Sequence, residues 1–444
     1  MNTPICDFVT EYANSKKVRA HMPGHKGEKR LGLEHLDITE VFGADSLFEA
    51  SSIIKSSEEN AGSLFGAHTY YSTEGSSLSI RAMLYLALLY AKKKGKAELV
   101  LAARNVHKSF VSALALLDFS VEWLYNEESN YLSCRVDAKA LDKKLSEMTT
   151  KPVAFYLTSP DYLGNVADIK SIADVCLKHD VLLLVDNAHG AYLKFLSKSE
   201  HPIDLGATMC CDSAHKTLSV LTGGAYLHIS KTADSIFKDK AKNALSLFAS
   251  TSPSYLILQS LDMANKFLAN GYKESLNAFV KEVDALKCSL TENGYTLVGN
   301  EKLKITIATK DYGYTGNRFA DILRENNIEC EFSDPDFVVL MLTPSLSKKA
   351  LLKIKTALLA IKKKEEITDK PPKLFIPKKV MSVRDAVMSN SATVNALESC
   401  GKILSTITVS CPPAVVILVS GEKIDENLID IFKYYSIKTC EVVE

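Results

Sequence analysis

From residue 75 onward, apolar residues recur by turns at helical spacing and in short unbroken runs. GSSLSIRAMLYLALLYAKKKG (75–95) predicts a helix that stops at Gly95, a residue suited to a C-cap. ELVLAA (98–103) predicts a short buried strand, HKSFVSALALLDF (107–119) a helix and SVEWLY (120–125) another strand. The rhythm continues through PVAFYLT (152–158), a helix from about Asp168 to Lys178, VLLLVD (181–186), ATMCCD (207–212) and GAYLHIS (224–230). Apolar runs separated by amphipathic helices imply a parallel or mostly parallel sheet covered on both faces. The fold class is α/β.

The pattern changes beyond residue 230. Residues 231–295 are mainly helical, with KESLNAFVKEVDALKCSL the clearest amphipathic piece. KLKITIAT (302–309), NRFADILREN (317–326) and FVVLMLT (337–343) suggest a smaller α+β unit, closed by a helix in KKALLKIKTALLAIKKKEE. The lysines of that helix suit a solvated face, a membrane surface being the alternative. TDKPPKLFIPKK (368–379) reads as a linker. The expected organisation is an N-terminal segment (1–50), a large domain (51–250), a small α+β domain (251–366) and a C-terminal α/β domain (380–444).

Composition adds mainly exclusions. A chain of 444 residues suggests about two to four domains. Lys plus Arg and Asp plus Glu are 53 each, so no net charge draws the protein to nucleic acid or an anionic membrane. The N-terminus lacks a signal-type apolar core and no run is long enough to span a bilayer. The ten cysteines show no CxxC spacing. They are expected as reduced thiols, each a small buried hydrophobe, in a cytoplasmic protein.

All ten histidines fall between His21 and His228. His107, His189 and His215 follow predicted strands, where open α/β sheets bind ligands. Asp186 ends VLLLVD, and a carboxylate in such a dry place needs a cationic partner, which a protonated pyridine nitrogen would supply. Lys216 in DSAHKT follows the next strand beside Ser213 and His215; burial would free its amine for a Schiff base. Metal binding by His107, Asp186 and His189 is the alternative, although no HExxH supports it. His21 and His25 enclose Pro-Gly and cannot be a regular helical pair. TEGSSLS (73–79) places Gly75, Ser76 and Ser77 at a helix start, suited to a phosphate or to ordinary capping.

HMPGHKG (21–27), TEGSS (73–77), RNVHKSF (104–110), SPDYLGNVADI (159–169), VDNAHGAY (185–192), SAHKTLSVLTGGAYLHI (213–229) and CPPAVVILVSGE (411–422) occur in this order. Together they resemble the ornithine/lysine/arginine decarboxylase family, in its short bacterial form without an N-terminal receiver-like domain. The resemblance implies the aminotransferase-like fold (fold type I) and pyridoxal 5′-phosphate (PLP) as cofactor. It further implies a cytoplasmic homodimer, or an oligomer of dimers, that decarboxylates arginine, lysine or ornithine in polyamine biosynthesis. No metal, nucleic acid or membrane partner is expected.

The resemblance assigns Lys216 to the covalent bond with PLP, Asp186 to the pyridine nitrogen and His107 to the ring face. Gly75, Ser76, Ser77, Ser213 and His215 become phosphate contacts, and His189 lies close to the phenolic oxygen. Lys216 or His215 would return a proton to Cα. HMPGHKG would approach the entrance of an active site, that of a partner subunit included. Departures from the family pattern are Glu74 for asparagine, Asn187 and Tyr192 for glutamate and histidine, Ser219 and Gly223 for proline and glutamine, and Cys411 and Ala414 in the PPG segment. Other readings are a PLP enzyme of another reaction type (aminotransferase or aldolase), or an impaired relative with a binding role. Asp45, Glu49, Asp161 and Glu398 are carboxylates for the distal cation of a basic substrate; each is expected as a solvated surface group, and none is assigned.

Overall fold

The computed structural model describes residues 1–125, 135–370, 372–373, 376–410 and 416–444. Cys134, Cys411 and Ala414 lie outside the described residues, as does most of the PPG segment. Seven short strands build the main sheet: β1 (His68–Ser72), β2 (Leu99–Ala103), β3 (Ser120–Leu124), β4 (Ala154–Thr158), β5 (Leu182–Asp186), β6 (Met209–Asp212) and β7 (Ala225–Ile229). Their order is β1-β7-β6-β5-β4-β2-β3. Six of the seven coincide with the apolar runs. Apart from the edge strand β3, where Ser120 and Glu122 are exposed, their residues are nearly all buried because helices cover both faces of such a sheet.

β2 with β3 and β5 with β6 are parallel, whereas β7 is antiparallel to both β6 and β1. The sequence does not announce β1. HTYYS is polar at its start; it pairs with β7, Tyr70 is only half-buried, and Tyr71 is buried with its hydroxyl bonded to Ser57 and Asn265.

The chain divides into two compact units. One comprises residues 1–98, 149–156 and 169–274, the other residues 99–148, 157–168 and 275–444. In the first, the helix Gly75–Lys94 ends at Gly95, which takes the left-handed conformation expected of it (φ 63°). Helices Ser235–Ser246 and Tyr255–Ala269 follow the sheet strands.

The second unit carries a four-stranded sheet of β8 (Leu297–Val298), β9 (Lys304–Ala308), β10 (Phe332–Ser333) and β11 (Phe337–Met341), ordered β10-β11-β9-β8 and antiparallel throughout. The helix expected to run to residue 366 stops at Ala360. Ile361 turns to extended backbone just before Lys362, Lys363 and Lys364, whose like charges disfavour another turn. In the C-terminal stretch, strands Ser391–Asn395 and Thr439–Val443 pair antiparallel, and helix Glu426–Tyr434 lies between the strand pairs in sequence. Its core does not close on itself. Leu428, Phe432, Ile417 and Leu418 share one apolar cluster with Leu163, Phe332 and Val339.

Cys176, Cys210, Cys211 and Cys440 are buried thiols, but Cys288 and Cys400 are exposed, against the expectation of uniform burial. Among the described residues no helix is long and apolar enough to cross a membrane.

Candidate active site

β5 and β6 run parallel, with Asp186 opposite Cys211, so both strands deliver their carboxyl ends to the same edge of the sheet. Asp186 is the last residue of β5 and only 2% exposed. Its Oδ1 accepts from the Ala188 amide (3.1 Å) and lies 3.5 Å from Cys211 Sγ, and its Oδ2 is 3.4 Å from the Tyr156 hydroxyl. Among the described residues no cationic side chain forms an ion pair with it. A buried carboxylate surrounded only by neutral donors is a poor resting place for charge, and a cationic ring nitrogen would complete it. Burial, followed by the nearby Asp186 charge, raises the Tyr156 phenol well above its ordinary range, and the Cys211 thiol rises for the same two causes. Both therefore stay protonated as donors.

One residue past β6 the chain turns into the short helix Ala214–Thr217, which carries Lys216. The half-buried Lys216 Nζ lies 3.0 Å from Nε2 of the buried His189. This pairing holds a primary amine in place beside the β5 end. His215 Nδ1 donates to the Gly224 carbonyl (3.0 Å), which leaves the lone pair of the neutral ring on Nε2. Burial, together with the charge of Lys216, moves the His215 pKa below its usual value.

Ser213 Oγ donates to Ser76 Oγ (2.8 Å), joining the β6 end to the start of the helix Gly75–Lys94. No side chain caps that helix; the Gly75 amide is taken by the Gly223 carbonyl, but the amides that follow it and the helix dipole remain available to an anion. Ser77 is half-buried next to them, and the space beside the Gly75 Cα is open to 4 Å. Glu74 does not oppose an anion from within: it is exposed and accepts the Ser250 amide at 2.8 Å. Gly223 explains one departure from the family pattern. At φ +99°, a Cβ there would sit 2.8 Å from the Thr73 carbonyl, and the Gly223 carbonyl accepts the Gly75 amide (2.7 Å). This donor set fits PLP: an amine, a buried acid for the ring nitrogen, and serines at an uncapped helix start.

The remaining expected residues have the following surroundings. His107 lies in the second unit as the exposed N-cap of helix Lys108–Leu117, with Nδ1 accepting from the Ser109 amide (3.2 Å). His21 bonds the Tyr12 hydroxyl (2.5 Å), and His25 pairs with Asp37 (3.2 Å). Asp45 is not a solvated group: it is buried and gathers Ser51, Ser52 and Ile54 at the start of helix Ile53–Phe65, whose donors hold its pKa down against burial. Asp161 is likewise buried. Glu49 and Glu398 are exposed as expected.

Sequence reasoning missed the buried network behind Asp186. Asp212, fully buried, accepts Asn187 Nδ2 (2.6 Å) on Oδ1 and lies close to His201 Nε2 (3.0 Å) and His228 Nε2 (3.2 Å) through Oδ2. Burial would raise its pKa, but the two imidazoles hold it well below the carboxylate range. Asn187, a departure by motif, is therefore an amide matched to a carboxylate. The described groups that could ligate a metal are His201, Cys210 and Asp212, not His107, Asp186 and His189. Asp212 is already bonded within its network.

Three comparisons bear on this arrangement. The model of the major domain of Orn/Lys/Arg decarboxylases matches residues 3–306. An arginine decarboxylase of Bacillus subtilis (strain 168) is 29% identical, the match covering 97% of this chain and 93% of the relative. One of Halalkalibacterium halodurans is 28% identical over 96% and 91%. The lysine decarboxylase of Francisella novicida superposes with a TM-score of 0.80 at 16% identity, covering 100% of this chain and 81% of its own, and shows the shared fold. From residue 3 to residue 306, around the acid, the amine and the serine-lined helix start, this chain belongs to the Orn/Lys/Arg decarboxylase family.

Proposed function

We propose that the protein is a PLP-dependent decarboxylase of a basic amino acid, with arginine the first substrate to test, and that it acts as a cytoplasmic homodimer. The observation that carries this reading is Asp186: buried, ionisable and without a cationic side-chain partner among the described residues. Near full-length relatives that are arginine decarboxylases support arginine among the three candidates.

Bound PLP supplies an electron sink for the pair left at Cα when CO₂ departs. Asp186 holds a positive charge on the ring nitrogen, with Tyr156 and Cys211 as its neutral neighbours. Lys216 would offer the amine that holds the cofactor, and His189 orients that amine. Ser76, Ser77 and Ser213, with the helix start at Gly75, fix the phosphate. The assignment of His107 to the ring face rests on the resemblance alone. Either Lys216 or the neutral His215 delivers a proton to Cα to release the amine.

The test is release of labelled CO₂ from carboxyl-labelled arginine, lysine and ornithine by PLP-loaded protein. Activity with at least one is expected, and Lys216→Ala should abolish it. Borohydride reduction should leave PLP on the peptide containing Lys216. Silence with all three substrates, or a keto acid in place of CO₂, overturns the reading.

A further inference from the structure

The second unit contains a cavity of about 370 Å³ whose lining includes Asn105, Arg135, Thr158, Asp161, Asp168 and Asn300. It opens where the chain leaves β2 and β4. Asn105 is 6% exposed, and its Nδ2 donates to the Thr158 carbonyl (3.1 Å). That bond fixes the amide orientation and leaves Oδ1 buried with no hydrogen-bond partner. Thr158 Oγ1, on the same lining, is also buried without one. A buried amide oxygen left unsatisfied costs about 1–3 kcal/mol, so a site that keeps one is a site for a donor. Asn105 Oδ1 only accepts, and Asp161 and Asp168 only accept when ionised. Asn165 donates twice to Asp161 (2.8 and 2.9 Å), bonds that a carboxylate can accept alongside others. Asn300 Oδ1 is taken by the Val166 amide (2.8 Å). Two carboxylates against one guanidinium leave the lining with one net negative charge.

We infer that this cavity binds a small organic cation rich in N–H donors, a primary ammonium or a guanidinium, through Asn105 Oδ1, Thr158 Oγ1 and the carboxylates of Asp161 and Asp168. The volume suits a small ligand. The choice of cation rests on the proposed decarboxylase reading, in which the same group is present on the basic substrate and on its amine product. Arg135 separates these two sources: its guanidinium would add a contact for an α-carboxylate, which the product lacks.

Calorimetric titration of full-length Lys216→Ala protein without PLP, in which no turnover occurs, tests the inference. Agmatine and cadaverine probe the product, arginine and lysine the substrate. At least one cation should bind, and Asn105→Leu and Asp168→Asn should each weaken it by about tenfold or more. Asp168 is exposed and Asn serves as well as Asp before the helix Ile169–Lys178, so its variant should fold and remains informative if Asn105→Leu does not. Binding confined to the amino acids and lost in Arg135→Gln marks the site as the substrate's; equal binding of the amines marks it as the product's. No binding at millimolar concentration, or binding that neither variant alters, overturns the inference. CO₂ release measured on the parent protein is independent. Its presence without cavity binding sinks the cavity alone, and its absence with cavity binding sinks the activity alone.

Discussion

Arg104 and Glu422, 318 residues apart, meet as a bidentate ion pair with Nη1–Oε1 at 2.8 Å and Nη2–Oε2 at 2.7 Å, both side chains almost fully buried. Arg104 also donates through Nε to the Val416 carbonyl (3.1 Å) and lies over the Trp123 ring at 4.7 Å. Glu422 Oε2 accepts the Val419 amide (2.8 Å). The pair ties the RNVHKSF segment, and with it the helix start capped by His107, to the VSGE segment near the C-terminus.

Breaking one side of this pair should cost far more than removing both. Glu422→Met leaves a buried guanidinium unmatched, a loss of about 3–5 kcal/mol. Arg104→Met with Glu422→Met removes both charges and should recover most of that. Urea unfolding midpoints of the two single variants and the double variant check this. A double variant as unstable as the sum of the singles would contradict it.

Gly223→Ala should act on cofactor retention through the backbone. The new Cβ meets the Thr73 carbonyl at 2.8 Å, and φ +99° is strained for alanine. The displaced segment contains Gly75, the first residue of the helix that receives the anion. Equilibrium dialysis against PLP should show binding weakened by about tenfold or more, with about 1–3 kcal/mol of stability also lost.

Asp334 gives a pH dependence of defined sign. Burial, despite the Phe337 and Asp336 amides on Oδ1, raises its pKa from 3.8 to about 7. Between those values the folded state holds a proton that the unfolded state has released, so this group lowers stability as pH rises from about 4 to 7. Asp334→Asn, which mimics the protonated form, should be more stable than the parent by roughly 2–4 kcal/mol at pH 8, and the gain should shrink toward pH 5. Urea midpoints across that range check it; a constant gain would place the cause elsewhere.

Asp186 and Lys216 are legible from sequence because one ends an apolar strand and the other follows the next, and strand ends share an edge once the sheet is parallel. The covering helices are legible from their 3.6-residue stripes. β1 is not, since HTYYS lacks an apolar run and the burial of Tyr71 comes from tertiary contacts with Ser57 and Asn265. The Asp212 network is not, because His201 and His228 stand 11 and 16 residues from it, the first brought by the turn before β6 and the second by the β6–β7 register. The Arg104–Glu422 pair and the orphaned Asn105 oxygen depend on tertiary packing, which no local spacing reports.

Asp186→Asn should separate stability from cofactor binding. In protein without PLP, the carboxylate is a buried charge with only neutral donors around it, and an amide of the same shape relieves that cost, although its NH₂ now faces the Tyr156 hydroxyl at the place of Oδ2. The variant without PLP should therefore melt at or above the parental temperature. With PLP the order reverses. The parent gains a charge-assisted bond to the ring nitrogen, about 1.5–3 kcal/mol, or roughly tenfold to 150-fold in affinity. Saturating PLP should accordingly raise the parental melting temperature more than that of the variant, because ligand-linked stability follows the affinity. Differential scanning calorimetry with and without PLP provides both comparisons. An equal PLP-induced shift in the two proteins would mean that Asp186 does not face the cofactor nitrogen.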